Sequence, residues 1–193
     1  MERRRHRVHR RSRAGLVLLA LLGLGLPPYA AATEQIPDAI VVDGQTRPLY
    51  AEPFGVLLDE PAHWATFRRL FAPALGACTG NMRGYKAWWT IEDDELRLDR
   101  LVAGACSKDP PEVPLDAFFP GQRAPVAARW YSGGLIVPLG ERGSDDHAGY
   151  SARYPRYLLI DVDVGRVVAR REISHDTLDA LRARARAAKD DTP

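Results

Sequence analysis

Apolar and polar residues alternate along four stretches of the chain, and each stretch is interrupted by residues that favour a tight turn. Such period-two alternation predicts half-buried β-strands, and two runs joined by a turn predict a hairpin. The four predicted turns are Asp43-Gly44, Asp93-Asp94, Ser132-Gly133 and Asp163-Val164-Gly165. The flanking strands are Ala39–Val42 with Gln45-Thr46, Tyr85–Ile91 with Leu96–Val102, Val126–Tyr131 with Gly134–Leu139, and Tyr157–Val162 with Arg166–Glu172. Pro138 predicts an edge or a bulge in the third hairpin, because proline cannot donate to a ladder.

Helical spacing of apolar residues is confined to shorter segments. Glu60–Phe71 carries its apolar residues on one side, with Asp59 as the predicted cap. Asp176 and Asp179 begin a C-terminal helix, and Pro114–Phe119 predicts a single turn. The predicted class is therefore α+β. It consists mainly of an antiparallel sheet or half-open barrel built from hairpins, with one helix near the N-terminal third and one C-terminal helix.

The second hairpin has one apolar and one polar face. With Asp93-Asp94 as its loop, the pairs Ile91/Leu96, Trp89/Leu98 and Tyr85/Val102 lie on the apolar face. The opposite face carries polar residues, namely Lys86, Thr90, Glu92, Arg97 and Asp99. Trp88 falls on this polar face, which makes it an unusual aromatic residue in the pattern.

The first 32 residues have the pattern of a secretory signal peptide. Residues 1–14 are rich in arginine, Gly15–Leu26 is almost wholly apolar, and Ala30-Ala31-Ala32 provides small residues for cleavage. A 12-residue run spans about 18 Å, which is shorter than a hydrocarbon core of about 30 Å. The sequence therefore predicts a signal peptide over residues 1–32 and a single exported domain over residues 33–193. The expected location is periplasmic or secreted, without a permanent membrane anchor.

The charge of the chain changes when this leader is removed. The leader contains seven of the 27 Lys and Arg residues and one of the 25 Asp and Glu residues. Residues 33–193 then keep 20 basic and 24 acidic residues, a net formal charge of −4, so the basic residues of the leader do not indicate a nucleic-acid partner. Arg10-Arg11-Ser12-Arg13 leaves both the general secretory route and the twin-arginine route open.

Cys78 and Cys106 are the two cysteines of the chain, and they bracket the second hairpin. Because that hairpin closes near Asp93-Asp94, both cysteines emerge at its open end. In an oxidising compartment we expect them to form a disulfide.

No arrangement of side chains predicts a specific reaction, cofactor or metal site. Asp145-Asp146-His147 places two carboxylates and an imidazole in a polar loop. A hydrolase that uses His147 with Asp145 or Asp146 is the alternative to a non-enzymatic protein.

Aromatic and arginine side chains near the turns are candidate binding residues, since each offers a large contact area with a polar group. The candidates are Trp88, Trp130, Tyr131, Tyr150, Tyr154, Arg83 and His147. The alternative for Trp130 is that it simply fills the core.

Several short patterns occur together along residues 38–173. They include Arg83-Gly84-Tyr85 leading to Ala87, Trp89 and Ile91, then Ala128 with Trp130–Gly133, and His147 with Gly149-Tyr150-Ser151 and Tyr154. In this order the chain resembles a family of small uncharacterised bacterial proteins. The resemblance implies no activity, cofactor or catalytic residue. From the residues alone, we expect an exported, disulfide-linked binding protein of the bacterial envelope. Its expected partner is either a protein, for example a toxin, or a glycan.

Overall fold

A computed structural model describes residues 33–143 and 152–190 of the chain. In these ranges eight strands form one sheet in the order β2-β1-β3-β4-β8-β7-β6, with β5 paired to β4. The strands are β1 (Asp38–Val42), β2 (Gln45–Leu49), β3 (Tyr85–Glu92), β4 (Glu95–Ala103), β5 (Val126–Ala127), β6 (Gly133–Leu139), β7 (Arg156–Asp163) and β8 (Arg166–Ser174). The helices are α1 (Pro53–Leu57), α2 (Pro61–Phe71) and α3 (His175–Asp190), with short 3-10 turns at Thr79–Asn81 and Leu115–Ala117. The predicted α+β class is confirmed.

Three of the four predicted hairpins form around their predicted turns. Asp43 and Gly44 have φ angles of 51° and 73°, and Asp93 and Asp94 have φ angles of 52° and 55°. These left-handed values give a two-residue turn whose twist matches the flanking strands. The fourth hairpin joins β7 to β8 in the same way.

The third predicted hairpin is wrong. β5 has only two residues and pairs with β4, whereas β6 pairs with β7 over its whole length. The reason is that β6 buries Leu135 and Val137 in the core beside β7, while a turn closed by the Tyr131 N–H and the Ala128 carbonyl bends the chain away after β5. Pro138 does lie on an edge strand, as predicted, because β6 ends the strand order.

The sheet is mixed, since β1 and β3 run parallel. Parallel neighbours need a crossover connection, and here it contains α1 and α2. The two end strands of the sheet, β2 and β6, also approach each other. Just after β2, the Tyr50 N–H donates to the Ile136 carbonyl of β6 over 2.8 Å. Ile40, Trp89, Leu98 and other strand residues therefore meet the aromatic side chains of the helices in one core.

The helices largely follow the sequence pattern. α2 begins at Pro61, but Glu60 and not Asp59 is its N-cap residue, and it makes no side-chain cap hydrogen bond. α3 is the predicted C-terminal helix, and the Thr177 N–H donates to the Ser174 hydroxyl at its start. Within the part of the chain that the structure describes, no helix is both long enough and apolar enough to span a membrane.

Candidate functional site: a tryptophan flanked by two cations

Trp88 lies half-buried on β3, next to an irregularity in the β3–β4 ladder. Trp89 pairs with Leu98 as predicted, but the register shifts by one residue between Trp89 and Trp88. Asp99 is the extra residue of this bulge, so Trp88 faces Arg100 across the ladder. The predicted pairing of Tyr85 with Val102 is therefore wrong, and Tyr85 pairs with Ala103.

Two cationic side chains lie over the indole ring of Trp88. The Lys86 ammonium is 5.0 Å and the Arg100 guanidinium 4.7 Å from the ring centre. Both distances are within the range of cation–π attraction. Arg100 also forms an ion pair with Glu112, with 2.5 Å between Nε and Oε1. Two positive charges therefore lie over the ring of this half-buried indole.

Lys86 has an unusual environment for a lysine. Burial lowers the pKa of its ammonium group. The nearby Asp38 carboxylate has the opposite, smaller effect on this pKa. In residues 33–143 and 152–188, no carboxylate forms a salt bridge with Lys86. A partly desolvated ammonium without a salt-bridge partner favours a site that an anionic group can occupy.

Lys86, Trp88 and Arg100 line a pocket of about 320 Å³, which we call the Trp88 pocket. Its lining consists of Lys86, Trp88, Arg100, Ala105, Ser107, Lys108, Asp109 and Pro110. Ala105 and Ser107 are the neighbours of Cys106, which is joined to Cys78 by the predicted disulfide, with Cα atoms 6.5 Å apart. The disulfide is thus confirmed, and it anchors one wall of the pocket.

A larger pocket of about 660 Å³ adjoins the first, because Arg100 lines both. It lies between the bulge of β4 and residues 112–124. Asp99, Asp116, Gln122 and Arg123 contribute polar groups to it. The lining residues of the two pockets together offer both hydrogen-bond donors and acceptors.

A buried ion pair supports β3 beneath Trp88. The Asp38 carboxylate is fully buried and accepts hydrogen bonds from Arg83 Nη2 at 2.6 Å, the Ala87 N–H at 3.0 Å and the Trp89 indole N–H at 3.1 Å. Ala87 and Trp89 are the two chain neighbours of Trp88. Asp38 therefore holds the backbone before Trp88 through the Ala87 N–H and the side chain after it through the Trp89 indole.

Arg83, one of the predicted binding residues, is engaged in this internal network. Its guanidinium contacts Asp38, forms a second ion pair with Glu52 at 2.9 Å, and donates to the carbonyls of Ile36 and Tyr85. These contacts make it a structural residue that connects β1, β3 and the start of α1. Arg83 is not among the lining residues of the pocket that contains Trp88.

The stability of the protein is expected to depend on the ionisation of Asp38. Burial raises its pKa to about 6, although Arg83 and the two N–H donors oppose this shift and Glu52 adds to it. The folded state then binds the proton more tightly than the unfolded state. The tighter binding of this proton stabilises the folded state by on the order of 3 kcal/mol. The stabilisation is fully present below about pH 4 and is lost as the pH rises through about 6.

This prediction is tested by measuring the free energy of unfolding between about pH 4 and about pH 7 for the wild type and for Asp38→Asn. Other carboxylates titrate in both proteins, so the difference between the two curves isolates Asp38. We expect the wild type to lose stability relative to Asp38→Asn as the pH rises across this range. Parallel curves would contradict the prediction.

Tyr131 lies in the core and Trp130 is partly buried against it, and neither lines the pocket of Trp88. The Trp130 ring stacks on Phe119 with centroids 4.9 Å apart, and its indole N–H donates to the Pro53 carbonyl. The Tyr131 hydroxyl donates to the Gly134 carbonyl, and burial raises its pKa to about 12. Their contacts are those of packing residues.

Tyr154 belongs to a separate pocket of about 240 Å³. Its ring packs edge-to-face on Tyr50, with centroids 6.2 Å apart. The same pocket is lined by Arg142 and Glu34, which form an ion pair at 2.6 Å. Among the described residues, none lines both this pocket and the pocket that contains Trp88.

The remaining predicted residues, Tyr150 and His147 together with Asp145 and Asp146, lie outside the described residues. So does the predicted leader, residues 1–32. In the ranges that the structure does describe, no group of three or more His, Cys, Asp or Glu side chains is arranged to hold a metal ion.

Trp88 is the lining residue of the Trp88 pocket that was predicted to bind, whereas its three cationic residues, Lys86, Arg100 and Lys108, were not. Lys86 was placed on the correct face, since it lies two residues before Trp88. The position of Arg100 opposite Trp88 depends on the bulge in β4, and the spacing of the leucines in the sequence indicates this bulge. The buried residues Leu96 and Leu98 are two positions apart, but the next buried leucine is Leu101, three positions on. This change of spacing is typical of an extra residue in a strand.

The chain was also compared with known proteins. No protein-family model matches it, and no curated protein or solved structure matches it either. The functional interpretation therefore depends on the geometry of this chain.

Proposed function

We propose that this chain is an exported, non-enzymatic binding protein of the bacterial envelope, and that the Trp88 pocket is its ligand site. The observation that carries the proposal is a half-buried indole that lines a pocket and has the cations of Lys86 and Arg100 over its ring. Aromatic and arginine side chains are the most frequent anchors of binding surfaces.

Export is supported by two separate features. The first 32 residues have the pattern of a secretory leader. The Cys78–Cys106 disulfide is the kind of bond that persists in oxidising compartments. A glycan or a partner protein of the envelope is therefore within reach of the pocket.

Trp88→Ala is expected to weaken ligand binding by about 30-fold, because it removes the anchor and releases both cations. The matched control is Trp64→Ala, since Trp64 is 44% exposed on α2 and does not line the pocket. Protein produced from the full chain is purified from the envelope fraction and applied to an array of bacterial surface glycans and to extracts of envelope proteins.

Circular dichroism and the unfolding midpoint verify that both variants fold. The proposal requires a ligand that the wild type and Trp64→Ala bind and that Trp88→Ala loses. Equal binding by all three proteins would contradict it. Hydrolysis of a bound glycan that disappears in His147→Ala would instead support the hydrolase alternative.

A further inference from the structure

The chemistry of the Trp88 pocket narrows the class of ligand. Lys86, Arg100 and Lys108 bring three positive charges to its lining, against the single carboxylate of Asp109. Glu112 neutralises part of the Arg100 charge from the adjoining pocket. Lys86 is left as a half-buried cation that no described carboxylate pairs with. The pocket therefore favours a ligand that carries a negative group.

Asp109 and Ser107 add a second requirement. A carboxylate repels a simple anion, but it accepts hydrogen bonds from hydroxyl groups, and the Ser107 hydroxyl both donates and accepts. A ligand that combines one negative charge with several hydroxyl groups satisfies all of these lining groups. A phosphate ion or a run of acidic side chains does not combine a single negative charge with several hydroxyl donors.

The dimensions agree with a small cyclic group that belongs to a longer chain. A volume of about 320 Å³ is at the lower end of small-ligand pockets, which hold roughly 300–1,000 Å³. Because Arg100 also lines the pocket of about 660 Å³, a group bound at Trp88 has room for further units on the other side of Arg100.

We propose that the Trp88 pocket binds an acidic sugar residue of an envelope glycan, with the Lys86 ammonium as the counter-charge of the uronate carboxylate. This inference rests on the proposed function, because it names the ligand class of the same site. Arg100 and Ser107 then donate to sugar oxygens, and Asp109 accepts from a sugar hydroxyl.

The test is isothermal titration of the protein with defined oligosaccharides. The probes are tri-galacturonate, a glucuronate-containing trisaccharide and the neutral galactotriose. We expect the wild type to bind at least one uronate probe about ten-fold or more tightly than galactotriose. The preference should decrease as the salt concentration rises, since part of it is electrostatic.

The variants separate charge from packing. Lys86→Gln is expected to lose the preference for uronate, whereas Lys86→Arg keeps it, and both must retain the wild-type unfolding midpoint. Arg170→Gln is the matched control. Arg170 lies on β8, forms an ion pair with Asp94 and does not line the Trp88 pocket. The inference is overturned if Lys86→Gln keeps the preference or if no uronate probe binds.

Two further probes test other anions. Binding of tri-glutamate or inorganic phosphate as tightly as of the uronates would overturn the assignment to a sugar. If instead a neutral glycan or a protein binds in a manner that requires Trp88 but not Lys86, the proposed function stands and the acidic-sugar inference fails. If no ligand depends on Trp88, both fail.

Discussion

Replacing Asp38 with alanine is expected to lower the free energy of unfolding by about 3–5 kcal/mol. The substitution removes the carboxylate that accepts from Arg83, the Ala87 N–H and the Trp89 indole. These donors are left in a buried region that water does not reach easily. Arg83 keeps its ion pair with the partly exposed Glu52, but it loses its buried partner, and breaking a buried pair on one side is costly because the remaining charge keeps its desolvation penalty.

Guanidinium unfolding near neutral pH measures this effect. Asp161→Ala is the matched control, because the Asp161–Arg171 pair is exposed on both sides and such pairs contribute at most about 1 kcal/mol. Asp38→Asn serves as a milder variant if the alanine variant does not fold. Equal losses for Asp38→Ala and Asp161→Ala would contradict the structural role that we assign to the buried pair.

The importance of Asp38 is not visible in the sequence. Its position before an apolar run is typical of a polar residue at the exposed start of a strand. Its partners Arg83, Ala87 and Trp89 lie 45 to 51 positions further along the chain. They come together only because β1 pairs with β3 in parallel, and local patterns of apolar residues do not determine the order of strands.

Features that depend on neighbouring residues were predictable. The turns at Asp43-Gly44 and Asp93-Asp94 form because aspartate and glycine tolerate left-handed backbone angles. The pairing of Cys78 with Cys106 followed from the hairpin between them, which returns the chain to its starting point. In both cases the controlling interaction is local in sequence or is fixed by one hairpin.

The candidate site was only partly predictable for the same reason. Trp88 was identified because an aromatic residue on a polar strand face is conspicuous. Arg100 was assigned no role, because an uninterrupted ladder places Asp99 opposite Trp88. One extra residue on β4 replaces this acid with a cation and changes the chemistry of the site. The alternative that Trp130 fills the core is confirmed, but its hydrogen-bond partner Pro53 belongs to α1, which the pattern did not predict.

Removing the Cys78–Cys106 disulfide is expected to lower the free energy of unfolding by about 3.5 kcal/mol. The bond closes a loop of 28 residues, so its loss increases the conformational entropy of the unfolded chain. The double variant Cys78→Ser/Cys106→Ser is compared with the oxidised wild type by guanidinium unfolding. Adding a reductant to the wild type should reproduce the effect, whereas the double variant should not respond.

The same bond should matter for the Trp88 pocket, because Cys106 lies between the lining residues Ala105 and Ser107. Without the bond, this wall must be ordered when the ligand binds, and ordering side chains and loops reduces affinity. We therefore expect the double variant, still folded, to bind the ligand of the Trp88 pocket more weakly than the wild type. Unchanged affinity together with the expected loss of stability would show that the disulfide supports the fold but not the site.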